Sequence, residues 1–430
     1  MKSGQRMRVH VVTMGCAKNV VDSEKLMGQM RIGGIEIAPD IEHADAALIN
    51  TCGFITAAKK ESIDAIIAHV RWKAKGKLRK VYAMGCLTER YRSELEKEIP
   101  EVDRFFGSND MAGVLRELGA LYRRELIGER VLTTPAHIAY LKVSEGCDNP
   151  CSFCAIPLMR GRHTSRPMEE IVQEAGLLAA RGVKEIVLIG QDTTCYGIDL
   201  YGKRRIGELL DRVAGSEGVA WTRLMYAYPA KFPAELLESI AGNPRVCKYL
   251  DLPLQHIADP VLKSMRRGIS RRGVMALIRR IRDAVDGIAL RTTLIVGYPN
   301  EGEKEFDELL SFVREAEFDR LGVFPYSQED GTGAFGLGDP VPEPEKERRQ
   351  ALIMEAQQEI SNARNETLVG SRQVVLIDRV ERELCVGRTE RDAPDIDNEV
   401  FVDTRAPHAP GEFIEVDIVG CSEYDLYGRI

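Results

Sequence analysis

The sequence predicts an α/β protein in three parts: an N-terminal parallel α/β domain, an incomplete (β/α)6 barrel and a small C-terminal β-barrel. Strand-like apolar runs alternate with helical patterns from residue 8 to about 122, the alternation restarts at His137 and repeats six times, and short alternating strands follow Thr367. Alternating strands and helices form parallel sheets with crossover helices, whereas closely spaced short strands are typical of small barrels. We place the three domains at residues 7–122, 133–365 and 366–430.

Length and composition describe an ordinary globular chain. The 430 residues are 44% hydrophobic and 29% charged, which is enough for about two to four domains. Residues 2–6 are polar and no apolar stretch approaches membrane-spanning length, so we expect a soluble cytoplasmic protein without a secretory signal. The net charge of −7 gives little support to nucleic-acid binding. In a reducing compartment, ten cysteines at wide, uneven spacings indicate metal ligands or buried thiols rather than disulfides.

The N-terminal domain is predicted to bring three cysteines to one place. Three predicted strands cover residues 8–14, 44–50 and 80–84, and a cysteine follows each of them before a helix: Cys16, Cys52 and Cys86. Loops at the carboxyl ends of parallel strands converge on one crevice. Three buried structural thiols are the alternative, since free cysteine is often buried. The equivalent position of all three favours a 4Fe–4S cluster with one open iron.

A second set of cysteines follows the first barrel strand, predicted over residues 137–143. The loop after this strand places Cys147, Cys151 and Cys154 in the spacing C-x-x-x-C-x-x-C. Three thiolates on one loop can hold three irons of a 4Fe–4S cube and leave the fourth open. A structural zinc is the alternative, but zinc usually takes four ligands, often as two C-x-x-C pairs. The nearest further candidate, His163, lies beyond a proline and an Arg-Gly turn, so the spacing favours the cluster.

Polar side chains follow the remaining barrel strands, which we predict over residues 184–189, 222–227, 247–252, 289–296 and 320–324. In parallel barrels the chemistry takes place at the carboxyl ends of the strands. Each of these side chains alone could be an ordinary strand-end residue or cap. Together they are predicted to line a pocket over the open iron, and we assign cofactor binding to Gln191, Asp192, Gln255, Arg291 and Tyr298.

The C-x-x-x-C-x-x-C loop resembles that of the radical S-adenosylmethionine (radical SAM) superfamily. The resemblance implies that SAM chelates the open iron and that one electron from the cluster cleaves SAM to methionine and a 5′-deoxyadenosyl radical. The three further cysteines in an N-terminal α/β domain make the chain similar to the methylthiotransferases. Members of that family use two 4Fe–4S clusters and SAM to insert sulfur and a methyl group at an unactivated C–H bond.

The C-terminal part begins with Glu343–Thr367, a charged segment that predicts a linker helix leaving the barrel. The strands after it, predicted at residues 373–377, 384–388, 399–403 and 413–419, make this domain resemble a TRAM domain, which recognises substrate RNA in related enzymes. Residues 367–430 contain 14 Asp and Glu, 7 Arg and no Lys, a net charge of −7. We expect so acidic a surface to repel a phosphate backbone and to attract a basic protein.

The methylthiotransferase family has two main substrates, a modified adenosine in tRNA and an aspartate of small-subunit ribosomal protein twelve. The resemblance to the second branch covers almost the whole chain from Arg8. One departure lies at residues 297–302, where the chain has Gly-Tyr-Pro-Asn-Glu-Gly and the family more often has Gly-Phe-Pro-Gly-Glu-Thr. The stretches similar to the ribosomal-protein branch are residues 15–24, 50–55, 145–157, 161–167, 191–197, 252–256 and 391–397.

The resemblance implies a reaction in two stages. One SAM methylates sulfur carried at the N-terminal cluster, and a second SAM is cleaved at the barrel cluster to give a radical that removes a hydrogen from the aspartate β-carbon. The implied partners are ribosomal protein twelve, free or in the subunit, an electron donor and a sulfur donor, with no membrane and no nucleic acid as primary substrate. The alternatives are a tRNA adenosine methylthiotransferase and, from another class, an iron–sulfur electron carrier or sensor.

Overall fold

The structure is a computed structural model that describes residues 7–382, 384–404 and 406–430. The polar residues 2–6, which support the expectation that there is no secretory signal, lie outside these ranges, as do Glu383 and Arg405. Within the described ranges, no helix has both the length and the apolar character needed to cross a membrane.

A five-stranded parallel sheet forms the N-terminal part, in the order β2-β1-β3-β4-β5. Its strands are β1 Arg8–Thr13, β2 Glu36–Ile37, β3 Ala46–Thr51, β4 Lys80–Gly85 and β5 Arg104–Phe105, and its helices are α1 Ala17–Ile32, α2 Thr56–Ala74, α3 Cys86–Glu98 and α4 Met111–Glu117. The central strand β3 is buried along its whole length, as expected where helices cover both faces of a sheet. The edge strands β2 and β5 were not predicted, because two residues are too few to show a periodic pattern.

Six parallel strands form the predicted open barrel. In chain order the strands are β6 Ile138–Lys142, the short antiparallel pair β7 Ser144–Glu145 and β8 Thr164–Ser165, then β9 Glu185–Ile189, β10 Trp221–Leu224, β11 Tyr249–Asp251, β12 Ala289–Val296 and β13 Arg320–Pro325. β9 pairs with β6 and β10, β12 pairs with β11 and β13, and a bridge between Thr222 and Val246 joins the two sheets. Among the described residues β6 and β13 do not pair, so the barrel is open on one side, as predicted.

Helices follow the strands of this part of the chain. They are α5 Ile156–Arg160, α6 Met168–Ala180, α7 Ile198–Tyr201, α8 Ile206–Ala214, α9 Ala234–Gly242, α10 Asp259–Ser264, α11 Arg271–Ala284 and α12 Glu303–Ala316, with 3-10 turns at Ile41–His43, Thr193–Cys195 and Phe335–Leu337 in the chain. The longest helix, α13 Glu343–Glu366, was expected to lead away from the barrel. It packs instead along the last strand: Gln350 donates to the carbonyl of Val323 at 2.9 Å, and Ile353 is fully buried. Its apolar positions are too sparse to predict this contact.

The C-terminal part is the predicted small β-barrel, closed in the order β14-β15-β16-β18-β17. The strands are β14 Arg372–Glu381, β15 Leu384–Arg388, β16 Val400–Asp403, β17 Phe413–Cys421 and β18 Leu426–Arg429. Four of the five were predicted, and the fifth, β18, closes the barrel by pairing with both β16 and β17. Its glycine and arginine positions hide the alternation that marks a strand.

The small barrel covers the amino ends of the six barrel strands, opposite the cysteine loop. The acidic stretch of residues 391–397 enters this end of the barrel. Its aspartates form four contacts with barrel side chains: Asp392 with Arg320 at 2.7 Å, Asp395 with the Tyr140 hydroxyl at 2.9 Å, and Asp397 with Arg291 at 3.3 Å and the Tyr249 hydroxyl at 2.7 Å. The side chains of Asp392 and Asp397 are both 2% exposed. These two carboxylates therefore add nothing to the acidic surface, contrary to the expectation that counted every acid of this domain.

Candidate active site between two cysteine triads

The first triad, Cys147, Cys151 and Cys154, lies on the loop between β7 and α5, at the carboxyl end of β6. The loop is tied down by its backbone: the Cys147 amide donates to the carbonyl of Gly161 at 3.1 Å, and the Cys154 amide to that of Cys151 at 3.2 Å. Gly146 precedes the triad with φ of +76°, and a Cβ there would lie 2.1 Å from the carbonyl oxygen of Arg162. The turn into the loop therefore requires glycine.

Burial dominates the electrostatics of Cys147 and Cys154. It raises the pKa of Cys147 to about 11 and that of Cys154 to about 12, because a thiolate is poorly solvated there. One cation opposes this effect: Arg267, which is 4% exposed, donates from Nη1 to Cys151 Sγ at 3.2 Å. Arg267 forms no ion pair with a carboxylate of the described residues, and its Nε has no hydrogen-bond partner. A buried guanidinium needs a negative charge nearby, and a thiolate-bound cluster would supply it.

The second triad, Cys16, Cys52 and Cys86, is brought together by neighbouring strands. Cys16 lies between β1 and α1, Cys52 follows β3, and Cys86 is the first residue of α3 after β4. A Cβ added at Gly15, where φ is +86°, would lie 2.7 Å from Cys52 Cβ and 2.9 Å from its sulfur, so the Cys16 loop and Cys52 are in direct contact. Cys16 is exposed, whereas Cys52 and Cys86 are each 8% exposed. Burial raises the pKa of Cys52 to about 11 and also raises that of Cys86.

Both donor sets fit iron–sulfur clusters. In the described part of the chain, no three His, Cys, Asp or Glu side chains are grouped as ligands of one metal ion. In a 4Fe–4S cluster each thiolate binds a different iron, so the three sulfurs need not surround one point. Each triad also has an arginine that donates to one of its sulfurs. The residues present therefore fit two clusters, each held by three thiolates.

The helix α5 connects the two triads. It begins two residues after Cys154. Its side chains Ile156 and Met159, together with the preceding Ala155, form an apolar cluster with Cys86 of the other triad. Ala155 and Met159 are almost fully buried, with 1% and 3% of their surface exposed. The helix is five residues long. The two triads therefore lie on either side of one short, packed helix.

Arg160, the last residue of α5, adds a polar connection between the triads. Its Nε donates to Cys86 Sγ at 3.2 Å, its Nη1 to Asp22 at 2.6 Å, and its Nη2 to Asn19. Its side chain is 4% exposed. Lys142 binds Asp22 and Glu145, and it completes a buried charged network between α1 and the barrel. In contrast to Arg267, Arg160 has its charge balanced by carboxylates.

Two of the five predicted cofactor-binding residues lie beside the first triad. The Gln191 amide donates to Glu145 Oε1 at 2.6 Å, while Gln191 Oε1 is buried and accepts no hydrogen bond from the described residues. Asp192 is 2% exposed and accepts a hydrogen bond from Asn149 of the cysteine loop at 2.7 Å. Asp192 therefore shapes the loop, and Gln191 keeps an acceptor free for a ligand.

The other three predicted residues have structural contacts. Gln255 adopts φ of +75° and is held by β12, since its carbonyl accepts from the Ile295 amide at 2.8 Å. The Tyr298 ring is fully buried, and its hydroxyl lies 3.0 Å from Ser152 Oγ in the cysteine loop. Arg291 is paired with Asp251 and with Asp397 at the opposite end of the barrel. Cofactor binding by these three residues stays a prediction, and the contacts of Arg291 give it no support.

Sequence reasoning missed Arg160 and Arg267, which each donate to a sulfur of one triad, and Lys18, which lies two residues after Cys16. Each is one basic residue in an ordinary polar context: Arg160 and Arg267 both precede a glycine, and Lys18 opens a helix. No spacing pattern distinguishes them from surface arginines and lysines. The only available signal was nearness in sequence, since Arg160 is six residues after Cys154 and Lys18 two residues after Cys16.

Three known sequence families match separate parts of the chain. The family described as "Uncharacterized protein family UPF0004" matches residues 8–107, the radical SAM superfamily matches residues 141–313, and the TRAM domain matches residues 369–430. The six cysteines of the two triads fall within the first two matches.

Curated relatives match over the full length. A protein of Cytophaga hutchinsonii is 50% identical over 432 residues, covering 100% of this chain and 99% of its own, and one of Chloroherpeton thalassium is 51% identical over 430 residues, covering 99% of each. A Porphyromonas gingivalis protein is 48% identical over 431 residues, covering 99% of each chain. All three are named ribosomal protein uS12 methylthiotransferase RimO.

Solved structures share the fold at low identity. The radical S-adenosylmethionine methyltransferase TsrM from Kitasatospora setae, with cobalamin and a [4Fe-4S] cluster bound, aligns with a TM-score of 0.56 at 13% identity, covering 88% of this chain and 77% of its own. The cobalamin-dependent S-adenosylmethionine radical enzyme OxsB aligns with a TM-score of 0.51 at 13% identity, covering 82% and 56%.

Proposed function

The chain belongs to the family of ribosomal protein uS12 methylthiotransferases, and on this premise we propose that it transfers a methylthio group to the β-carbon of an aspartate of uS12. The observation that carries the proposal is the packing of α5, the helix that follows the first triad, on Cys86 of the second. α5, which begins two residues after Cys154, packs its apolar side chains on Cys86. A reaction that moves a group from one centre to a carbon activated at the other requires such proximity.

We assign the binding of the two cofactor clusters to the six cysteines. Cys147, Cys151 and Cys154 would hold the barrel cluster, and Cys16, Cys52 and Cys86 would hold the auxiliary cluster. When bound, the clusters and SAM supply radical chemistry and a methylthio group. The chain's own residues position and shield these groups. Arg267 balances the charge of the barrel site, while Gln191 presents a free acceptor beside it.

Surrounding residues hold the two sites in one arrangement. Arg160 connects α5 to Cys86 and to Asp22 of α1, and Lys142 of β6 binds the same Asp22. All three contacts are buried, which limits competition from water. We expect the protein in the cytoplasm, where it would meet uS12, together with an electron donor and a sulfur donor.

The substrate is tested by mass spectrometry. The reconstituted full-length protein is incubated with SAM, a reductant and sulfide, together with either uS12 or tRNA. We expect uS12 to gain a methylthio group on one aspartate and tRNA to remain unmodified. Modification of tRNA alone would refute the proposal in favour of the tRNA branch. SAM cleavage without modification of uS12 or tRNA would indicate that neither of them is the substrate.

The separate roles of the triads are tested by matched cysteine variants. Cys147→Ala should abolish SAM cleavage and methylthio transfer together. Cys52→Ala should stop methylthio transfer and preserve uncoupled SAM cleavage. Cys421→Ala, in β17 of the small barrel, is the control and should retain both activities. Loss of both activities in Cys52→Ala, with iron still bound at the barrel site, would contradict separate roles.

A further inference from the structure

Lys18 is a buried lysine without an acidic partner among the described residues. Its residue surface is 8% exposed, and its Nζ lies over the ring of Tyr226, 2.9 Å from the centroid. The two other buried lysines of the described chain both pair with carboxylates: Lys142 with Asp22 and Glu145, and Lys346 with Asp339 and Glu343. Lys18 forms no ion pair with any carboxylate of the described residues. An ammonium held only by an aromatic face still has hydrogen bonds to donate.

The position of this pair is between the two triads. Lys18 is two residues after Cys16 of the auxiliary site. Tyr226 lies just beyond β10, at the carboxyl end of the barrel, and its carbonyl accepts hydrogen bonds from the amide and hydroxyl of Thr193 at 3.1 Å and 3.2 Å. Thr193 directly follows Asp192, which binds Asn149 of the Cys147–Cys154 loop. The Lys18–Tyr226 contact therefore connects the loop of Cys16 to the residues that support the Cys147–Cys154 loop.

The backbone of Tyr226 is held in a demanding conformation. Its φ of +62° is in the left-handed region, which a bulky aromatic residue rarely adopts. Its amide donates to Asp251 Oδ2 at 3.0 Å, and together with the Thr193 contacts this fixes the residue. Such strain is kept where surrounding contacts over-determine it, and it is concentrated at functional sites. The ring of Tyr226 is therefore held in a fixed position against the Lys18 ammonium.

We propose that Lys18 binds the side-chain carboxylate of the substrate aspartate, an inference that rests on the proposed function. The carboxylate is attached to the β-carbon that reacts, so one charged hydrogen bond would place that carbon between the two triads. An ammonium donates strongly to a carboxylate, whereas an adenine base carries no anionic group for it. The site thereby selects an aspartate side chain.

The experiment measures discrimination between aspartate and asparagine. Wild-type protein and the variant Lys18→Met are reconstituted, and their iron content is compared. For each, the affinity for uS12 is measured without reductant, and kcat/KM is measured with SAM and reductant, using uS12 with its natural target aspartate and uS12 in which that residue is changed to asparagine. Lys18→Arg keeps the charge and controls for the loss of side-chain packing.

We expect the wild-type protein to favour the aspartate substrate by about 10- to 100-fold, the range for one hydrogen bond to a charged group. Lys18→Met should bring this ratio close to one while retaining two clusters and uncoupled SAM cleavage, and Lys18→Arg should restore part of the ratio. An unchanged kcat/KM ratio in Lys18→Met would overturn the inference. If Lys18→Met loses its clusters, Lys18→Arg decides instead. An undiminished ratio in that variant, without any difference in affinity between the two forms of uS12, would also overturn it. Failure of the wild-type protein to modify uS12 at all would instead refute the proposed function.

Discussion

Two arginines donate to proposed cluster ligands over the same distance but with different neighbours, and this difference predicts how each would tune its cluster. Arg267 Nη1 and Arg160 Nε each lie 3.2 Å from a cysteine sulfur. Arg160 is also paired with Asp22 and Glu145, whereas Arg267 has no carboxylate partner among the described residues. Reduction adds a negative charge to a cluster, so an unbalanced cation should stabilise the reduced state more strongly. We therefore expect Arg267→Met to lower the reduction potential of the barrel cluster more than Arg160→Met lowers that of the auxiliary cluster.

The magnitude follows from the strength of one hydrogen bond. A hydrogen bond to a charged group contributes about 1.5–3 kcal/mol. If roughly half of this is gained on reduction, about 0.75–1.5 kcal/mol is lost in Arg267→Met. This corresponds to about 30–65 mV for one electron, because a tenfold change in the equilibrium is about 59 mV. The two carboxylates beside Arg160 offset much of its charge, so Arg160→Met should shift the auxiliary potential by less than about 30 mV.

The assay is a redox titration followed by electron paramagnetic resonance, without SAM. Each cluster is measured alone: the barrel cluster in protein with Cys16, Cys52 and Cys86 changed to alanine, and the auxiliary cluster in protein with the other triad changed to alanine. The lysine variants of the two arginines keep the charge and should recover most of each shift. A larger shift at the auxiliary cluster than at the barrel cluster would refute the reasoning, as would no shift at either.

Two further predictions concern the architecture of the sites. Gly146→Ala should halve the bound iron, because a Cβ would lie 2.1 Å from the Arg162 carbonyl oxygen and the first triad would be displaced; Gly176→Ala, where nothing lies within 4 Å, is the control, and full iron content in Gly146→Ala would contradict the prediction. Burial alone would raise the pKa of Glu185, but Arg388 and Arg223 outweigh it and hold that pKa below its usual value. The resulting stability is present above the unfolded pKa of about 4.3 and is lost as the pH falls through the lowered folded value. Glu185→Gln should remove this pH dependence and weaken docking of the small barrel by about 3–5 kcal/mol, measured by hydrogen exchange in β15; exchange unchanged from wild type at pH 7 would refute it.

The sequence was sufficient to predict the two triads because topology determines where they lie. Cys16, Cys52 and Cys86 each follow one of three adjacent parallel strands, and the carboxyl ends of such strands share an edge. The strands were found from apolar runs alone. The loop spacing of the other triad was equally direct, since it depends only on neighbouring residues.

The contacts between the parts were not predictable in the same way. The packing of α5 on Cys86 depends on how two domains are oriented, and no periodic pattern in either domain carries that information. The same holds for Arg291, which strand position assigned to a cofactor site, although Asp251 and Asp397 bind it in the structure. The side chain of an arginine inside a barrel strand can form contacts at either end of the barrel, and only its partners in the structure show which end it is.

The location of the small barrel shows that attracting a basic protein and selecting the reacting side chain are separate roles. This domain binds the amino ends of the barrel strands, as shown by the Phe413–Trp221 ring contact with centroids 4.9 Å apart and by the Arg388–Glu185 ion pair. The cysteine triads are at the carboxyl ends. Acids left on the surface of the small barrel, such as Glu415, can therefore influence how a basic protein approaches, but they are at the wrong end to contact the reacting side chain. Selection of an aspartate must then rest on residues near the triads, which is where Lys18 lies.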